Sequence, residues 1–123
     1  MRALVGILAL LTAAPAMPAE QFDLVCKIVS KVGSASTTDS LHFRIDVARR
    51  VFCEGDCKSV REITSITPLQ IVLTDWHGDP YVFLEKLDRQ TGAYSLEIGG
   101  PAQMKVSAQC QSAPFSGLPK TKF

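Results

Sequence analysis

Three side chains that commonly bind metal ions recur at alternate positions of one short segment: Asp75, His77 and Asp79. Alternate residues of an extended chain face the same side, so these carboxylates and the imidazole could converge on one ion. The same segment contains Gly78 and Pro80, and Asp, Gly and Pro are the residues that tight turns use. We therefore interpret the segment as a turn, keep the three side chains as candidate ligands, and predict no bound metal or other cofactor.

A second group that could do chemistry is the pair Cys53 and Cys57, separated by Glu54-Gly55-Asp56. Two thiolates so close could cycle between thiol and disulfide or bind a metal ion. Redox motifs of the thioredoxin type have two intervening residues and begin a helix within a βαβ unit, whereas this segment has three and no helical pattern. The spacing therefore favours a structural disulfide. A metal-handling or redox role for this loop is the alternative.

Side chains for nucleophilic or acid–base catalysis are present, but no motif groups them. The sequence has no Gly-x-Ser-x-Gly nucleophile elbow, and Ser116 lies in a turn-like Pro-Phe-Ser-Gly segment near the C-terminus. His42 is close to Arg44 on the polar face of a predicted strand, where a side chain is normally solvated. Because acid–base catalysis requires positioned groups with tuned pKa values, the sequence predicts that the protein is not an enzyme.

The N-terminal segment has the composition of a secretory signal peptide. Arg2 precedes an apolar run over residues 3–14, and small residues follow at Ala16 and Ala19. A run of about a dozen apolar residues is typical of a signal peptide and shorter than the ~20 needed to span a bilayer. We predict that residues 1–19 hold a signal peptide cleaved after Ala16 or Ala19, that no membrane anchor remains, and that the mature protein is periplasmic or secreted.

The charge balance argues against binding to nucleic acid. The chain has 13 Lys and Arg residues against 12 Asp and Glu residues, and removal of Arg2 with the signal peptide makes the two counts equal. Proteins that bind nucleic acid normally carry a basic excess on one face. The sequence therefore leaves the partner unknown, with another exported protein or a small ligand as the two alternatives.

Apolar residues alternate with polar ones in six segments, as expected for strands with one buried face: residues 22–28, 41–47, 69–74, 81–87, 94–98 and 104–110. A hairpin turn that ends at Gly92 connects the fourth and fifth segments. No stretch between residues 20 and 113 has a convincing helical pattern. The sequence predicts one all-β domain over 20–113, an antiparallel meander that forms a barrel in preference to a sandwich, and an extended, poorly packed tail over 114–123.

The same alternation selects among the three ways to pair four cysteines. Cys26 lies on the apolar face of segment 22–28, and Cys110 lies on the apolar face of segment 104–110. Both side chains therefore point into the core, one from the first strand and one from the last. We predict the disulfides Cys26–Cys110 and Cys53–Cys57, since an even number of cysteines in an exported protein indicates full pairing.

The side chains best suited to a contact surface lie in two predicted loops. Trp76 and His77 share one loop, and Arg49 and Arg50 precede the loop of Cys53. Exposed aromatic and basic side chains on a rigid scaffold are typical of protein-binding surfaces. We predict these four residues as an interaction surface.

Four segments of the sequence resemble an uncharacterised family of small exported proteins of Gram-negative bacteria: Phe-Asp-Leu-x-Cys at 22–26, Cys-Glu-Gly-Asp-Cys at 53–57, Asp-Arg-x-Thr-Gly at 88–92 and Cys-x3-Pro-Phe-Ser-Gly-x-Pro at 110–119. The resemblance covers nearly all of the mature chain, with Phe52 where the family would have Trp. It implies export, and it implies neither a reaction nor a ligand. The stretch Thr-Gly-Ala-Tyr at 91–94 is also similar to a Ser-Gly-x-x-Tyr stretch of small periplasmic lysozyme inhibitors.

These features together favour a non-catalytic binding or interaction module of the cell envelope. One alternative is a periplasmic protein similar to the lysozyme inhibitors of the membrane-bound C-type class. Another is an envelope metal-handling or redox protein that uses Cys53 and Cys57. A structural component of the envelope without a ligand is a further hypothesis.

Overall fold

The computed structural model describes residues 20–33 and 39–120, and this part of the chain contains strands and no helix. Its nine strands are β1 (Gln21–Val32), β2 (Ser40–Asp46), β3 (Val51–Glu54), β4 (Arg61–Glu62), β5 (Ser65–Ile66), β6 (Gln70–His77), β7 (Val82–Asp88), β8 (Ala93–Gly99) and β9 (Met104–Ala113). The prediction of an all-β fold is confirmed. The predicted signal peptide, residues 1–19, lies outside the described residues.

All nine strands form one antiparallel sheet. Its order is β4-β3-β2-β1-β9-β8-β7-β6-β5, so the first strand pairs with both the second and the last. The two edge strands, β4 and β5, follow each other in the chain. The strand order is therefore that of an up-and-down barrel with one pairing replaced by a seam between β4 and β5. The predicted meander is confirmed, and its sheet curls into a half-barrel.

The concave face of the sheet buries the apolar residues that the alternating pattern selects. Successive side chains of a strand point to opposite faces, so each long strand contributes every second residue. The buried cluster comprises Leu24, Cys26, Phe43, Ile45, Phe52, Ile63, Ile71, Leu73, Leu87, Tyr94, Ala108 and Cys110. Burial of one Phe or Ile side chain contributes about 1.5–3 kcal/mol, so this cluster is the main force that holds the sheet curled.

Both predicted disulfides are confirmed. Cys26 and Cys110 are directly opposite each other on β1 and β9, with Cα atoms 3.9 Å apart. Cys53 on β3 is bonded to Cys57 just beyond that strand, with Cα atoms 5.0 Å apart. The first bond joins the first and last strands in the middle of the sheet, and the second closes the turn that follows β3.

The six alternating segments correspond to β1, β2, β6, β7, β8 and β9. The structure adds β3, β4 and β5, which contain four residues or fewer. A run of two to four residues is too short to display alternation, and these strands form because their backbones pair with longer neighbours.

The interpretation of the segment that begins at Asp75 as a turn is wrong for its first half. The register of β6 against β7 shifts between Val72 and Thr74, which makes Leu73 the extra residue of a β-bulge. Beyond this bulge the chain resumes pairing with β7 as far as His77. The turn is confined to residues 78–81, where the amide of Gly78 donates to the carbonyl of Tyr81 at 2.9 Å.

The hairpin predicted between β7 and β8 is confirmed. Asp88 Oδ1 accepts hydrogen bonds from the amides of Gln90 and Thr91 at 2.8 and 3.0 Å. These hydrogen bonds lower the pKa of Asp88. Gly92 closes the turn with a φ of 76°, and a Cβ atom there would lie 2.5 Å from the carbonyl oxygen of Cys110. Only glycine fits this position, because both the backbone conformation and the neighbouring strand exclude a side chain.

Candidate functional site

One end of the half-barrel contains a cavity of about 380 Å³, and we call it the cavity end. Here β3 and β8 finish, and β2 and β9 begin. The apolar part of the wall consists of Ile28, Leu41, Leu96, Met104 and Val106. The rest of the wall is formed by Lys31, Ser40, His42, Glu54, Gly55, Glu85 and Tyr94. An apolar cavity with a few convergent polar groups is the usual form of a small-molecule site.

The polar centre of this cavity is Glu85, whose side chain lies on the core side of β7. Its residue is only 4% exposed. One carboxylate oxygen accepts a hydrogen bond from the hydroxyl of Tyr94, and the other accepts one from Thr74 Oγ1 at 3.2 Å. A buried carboxylate is tolerated when hydroxyl or amide donors replace the lost water, and here each oxygen has such a donor.

Tyr94 is fixed as a hydrogen-bond donor. Its ring packs against Phe43 with centroids 5.2 Å apart, and the residue is buried. Burial and the nearby charge of Glu85 both raise the pKa of Tyr94 far above its ordinary value. The phenol therefore keeps its proton at physiological pH and holds the carboxylate of Glu85 in one orientation.

Glu54 supplies a second carboxylate at the cavity end. Burial and the charge of Glu85 raise the pKa of Glu54, and the positive charge of Arg61 opposes them. Arg61 Nη2 is 3.8 Å from Glu54 Oε2, and the guanidinium group also lies 4.7 Å above the ring of Phe52. Arg61 is half-exposed, and its described ion pair is with Glu54.

A larger hollow of about 700 Å³ lies at the opposite end, between the N-terminus of β1 and the β7–β8 turn. Its charged side chains are Asp88 and Arg89, and both stabilise turns. Asp88 binds the amides of its own turn, and Arg89 Nη1 donates to the carbonyl of Thr67 at 2.9 Å. We therefore regard the smaller cavity, with its buried carboxylate, as the candidate site.

A second polar cluster lies on the face of the sheet opposite the core, and it includes His42, which also borders the cavity. Asp23 Oδ2 is 2.7 Å from His42 Nε2 and accepts a hydrogen bond from Ser116 Oγ at 2.6 Å. Asp23 Oδ1 accepts a third bond from the amide of Ser116 at 3.0 Å. Burial alone would raise the pKa of Asp23, but the hydrogen bonds from Ser116 and His42 outweigh it and lower that pKa. His42 is exposed, as expected, and it also contacts this buried carboxylate, which the sequence did not indicate.

The fold thus brings a serine, a histidine and an aspartate together, but not in the order that catalysis requires. In a hydrolytic triad the histidine lies between the other two side chains and takes the proton of the serine. Here Ser116 and His42 both bind the same oxygen of Asp23. The hydroxyl of Ser116 therefore points to a carboxylate that orients it and not to the imidazole.

The role of this cluster is to fasten the C-terminal segment. Residues 114–120 lie in no helix or strand. Ser116 is held by Asp23, and the carbonyl of Gly117 accepts a hydrogen bond from Arg44 Nη1 at 3.0 Å. The expectation that this tail is poorly packed is wrong for its described part, because side chains of β1 and β2 bind its backbone.

The four residues predicted as an interaction surface lie at opposite ends of the sheet. Trp76 and His77 are at the cavity end, where Trp76 is 51% exposed and packs edge-on against Phe83 at 6.3 Å. Arg49 and Arg50 lie in the turn between β2 and β3, at the other end. The structure therefore does not bring the two pairs together, and each pair stays a separate prediction.

The candidate metal ligands are only partly assembled. His77 Nε2 lies 2.9 Å from Asp75 Oδ1, and Asp79 belongs to the following turn. Within residues 20–33 and 39–120 there is no group of three or more His, Cys, Asp or Glu side chains placed to hold a metal ion. Cys53 and Cys57 are joined to each other in the disulfide described above.

Sequence reasoning missed Glu85, Tyr94 and Thr74 as the polar centre of the cavity. A signal for Glu85 was present, because it occupies the position between Phe83 and Leu87 on the apolar face of an alternating segment. A charged residue at a predicted core position indicates either a partner network or a site. Its hydroxyl donors come from two other strands, which the sequence alone does not connect.

No family model matches this chain, and the comparisons found neither a curated protein nor a solved structure similar to it. In the described part of the chain, no helix has the length and apolar character needed to cross a membrane.

Proposed function

We propose that this protein is a non-catalytic binding module of the cell envelope that holds a small ligand at the cavity end. The observation that carries the proposal is the buried carboxylate of Glu85, which is held by two hydroxyl donors at the wall of a largely apolar cavity. Keeping a carboxylate away from water costs free energy, and fixed polar groups in apolar surroundings are what orient ligands in binding sites.

The protonation properties of this network suit binding better than catalysis. General acids and bases work best when their pKa lies near the operating pH. The ordinary pKa of Tyr94 already lies above physiological pH, and burial and Glu85 raise it further. Tyr94 and Thr74 therefore act as hydrogen-bond donors that hold the side chain of Glu85 in place.

The proposed location is the periplasm or the extracellular medium. Two disulfides in one small domain are compatible with an oxidising compartment, where such bonds persist. The predicted signal peptide supports the same location. The intact mass of the secreted protein should correspond to cleavage after Ala16 or Ala19, and retention of residues 1–19 would contradict this part of the proposal.

If the protein is instead a lysozyme inhibitor, the surface that binds lysozyme must lie outside the cavity. In the stretch Thr-Gly-Ala-Tyr at 91–94, Tyr94 is buried in the core and only the preceding turn reaches the surface. An inhibitor would therefore have to use that turn. Slowing of a lysozyme by micromolar protein, abolished by substitutions in the turn, would favour this alternative over ligand binding in the cavity.

The proposal is tested by blocking the cavity. Leu96 lines it from β8, whereas the neighbouring Ser95 points to the other face of the strand, so Leu96→Trp fills the cavity and Ser95→Trp is the matched control. Small-molecule extract of the envelope is incubated with each protein, and retained compounds are identified by mass spectrometry. We expect one compound to be retained by wild type and by S95W and not by L96W. No retention by wild type, or equal retention by all three proteins, would overturn the proposal.

A further inference from the structure

We infer that the free edge of β6 is a self-association surface, through which two copies of this chain pair as a symmetric dimer. This edge consists of residues 74–77, at the cavity end. β5 pairs with β6 at Ile71 and Val72 and reaches no further. Residues 74–77 pair with β7 on one side, and within residues 20–33 and 39–120 no strand pairs with them on the other. Such a dimer goes beyond the proposed function and needs no ligand in the cavity.

The backbone of this edge can accept another strand. In a strand with a neighbour on one side, every second residue directs its amide and its carbonyl to the other side. An edge of this kind is a template for pairing with a further chain. The edge strands β4 and β5 contain only two residues each, whereas the free part of β6 extends over four. The free edge of β6 therefore has the length that a short ladder between two chains requires.

The charges along this edge identify a second copy as the occupant. When two β6 strands run antiparallel with Trp76 opposite the partner's Trp76, Asp75 faces the partner's His77 and His77 faces the partner's Asp75. Opposite charges or hydrogen-bonding groups directly across two strands stabilise their pairing, and like charges destabilise it. Pairing centred on Asp75 would instead place two carboxylates opposite each other. The edge is thus complementary to itself in one register, as a two-fold symmetric interface requires.

The contact between Asp75 and His77 within one chain is compatible with this pairing. His77 Nε2 lies 2.9 Å from Asp75 Oδ1, and both residues are exposed. This contact uses one of the two carboxylate oxygens and one of the two ring nitrogens, so each side chain retains a second atom that can bind the partner. In the dimer the four side chains would form one alternating row on the same face of the joined sheets.

On the opposite face, an apolar row crosses the sheet and ends at the same edge. Trp76 is directly opposite Phe83 on β7, Phe83 is opposite Ile98 on β8, and Ile98 is opposite Met104 on β9. This row lies on the concave face, because Phe83 is two residues from the inward-pointing Glu85. Trp76 ends the row and is 51% exposed. Pairing of two β6 edges joins the rows of both copies and covers the two Trp side chains.

Trp76 is exposed and yet fixed in position. Its indole ring packs edge-on against Phe83, with centroids 6.3 Å apart. The ring also lies over Gly78, where a Cβ atom would overlap it. A large aromatic side chain that is already held in place loses little conformational freedom on association, and Trp is among the residues that contribute most to interfaces.

The first test is sedimentation equilibrium of the exported, processed protein over a range of concentrations. We expect a dimer with a dissociation constant of about 10–100 µM, because a ladder of a few residues with one Trp from each copy is a small interface. Trp76→Ser should weaken the association about 30-fold or more, as expected for a central Trp. Tyr81→Ser is the matched control, since Tyr81 is an exposed aromatic residue of the adjoining turn, and it should dimerise as wild type does.

The second test exchanges the charges of the edge. Asp75→Lys/His77→Lys places lysines opposite lysines in the expected register, and His77→Asp places aspartates opposite aspartates. Each variant alone should associate about 10-fold more weakly than wild type. An equimolar mixture should regain association close to that of wild type, because the lysines of one chain face the aspartates of the other. Both positions are exposed, so these variants decide the question if Trp76→Ser does not fold.

The outcomes are distinct from those of the ligand experiment. A wild type that stays monomeric up to about ten times the expected dissociation constant would overturn the dimer. A dimer that survives Trp76→Ser, or a mixture that associates no better than its two components, would overturn pairing through β6. Binding of another exported protein at this edge by a monomeric chain would overturn the second copy as the occupant. Retention of a compound by wild type and not by Leu96→Trp reports on the cavity alone, since Leu96 lies on β8.

Discussion

The contact between Asp23 and Ser116, which holds the C-terminal segment against the sheet, gives the sharpest test of the structure. Asp23→Asn keeps the size of the side chain and removes its charge. The carboxylate accepts three hydrogen bonds, two from Ser116 and one from His42. Hydrogen bonds to a charged group contribute about 1.5–3 kcal/mol each and neutral ones about 0.5–1.5 kcal/mol. The difference is about 1–1.5 kcal/mol per bond, so for three bonds we expect a loss of about 3–4.5 kcal/mol in the free energy of unfolding.

The pH dependence has a definite sign. The pKa of Asp23 is lower in the folded protein than its ordinary value of 3.8, because the hydrogen bonds from Ser116 and His42 outweigh burial. Its contribution to stability is therefore complete above the unfolded pKa and disappears as the pH falls through the lower folded pKa. Wild type should lose stability in this acidic range, and Asp23→Asn should show a flatter curve there.

The assay is urea unfolding of both proteins between pH 2 and pH 7, with hydrogen exchange at the amide of Ser116. Asp56→Asn is the control, because Asp56 is exposed and its only described ion pair is with Lys58 at 3.6 Å. That control should change the free energy of unfolding by less than about 0.5 kcal/mol. If Asp23→Asn behaves like the control and the Ser116 amide exchanges no faster, Asp23 does not hold the C-terminal segment and our interpretation is refuted.

Two further predictions concern the covalent and backbone constraints. The chain-entropy relation gives a stabilisation of about 4.6 kcal/mol for the Cys26–Cys110 bond, whose residues are 84 apart, and about 2 kcal/mol for the Cys53–Cys57 bond, whose residues are 4 apart. In denaturant unfolding, replacing both cysteines of the first bond by Ala should therefore destabilise the protein more than the same change in the second bond. The reverse order would contradict this prediction. Gly92→Ala should destabilise the protein by about 2–4 kcal/mol, because its Cβ meets the Cys110 carbonyl. Gly55 has a similar φ, but a Cβ atom there would have no neighbour within 4 Å, so Gly55→Ala should lower the free energy of unfolding by only about 1 kcal/mol, as measured by thermal unfolding. Equal losses for the two variants would show that the close approach at Gly92 is unimportant.

Local pattern predicted the long strands because period-two alternation is a property of the chain itself. In β1 and β9 the alternation also placed Cys26 and Cys110 on inward faces, which was enough to select their disulfide. The hairpin at Gly92 followed from the residues of its turn. For these features each residue's side of the sheet depends only on its position along the strand.

Contacts between distant segments were decided only by the tertiary structure. Ser116 reaches Asp23 across 93 residues, and no local pattern indicates that the segment after β9 turns back over β1 and β2. The bulge at Leu73 shifts the register of β6, which brings Thr74 to Glu85 and takes Asp75 and His77 out of the predicted turn.

The sequence by itself therefore determined the six long strands, the direction in which their core residues point, and the pairing of the cysteines. The tertiary structure decided where polar groups meet. Whether a residue of a strand is buried depends on its own side chain and its position in that strand. The contacts of Glu85 with Tyr94 and Thr74 depend instead on the register of three strands relative to one another. That register depends on the summed packing and pairing of the whole sheet, and no short segment contains it.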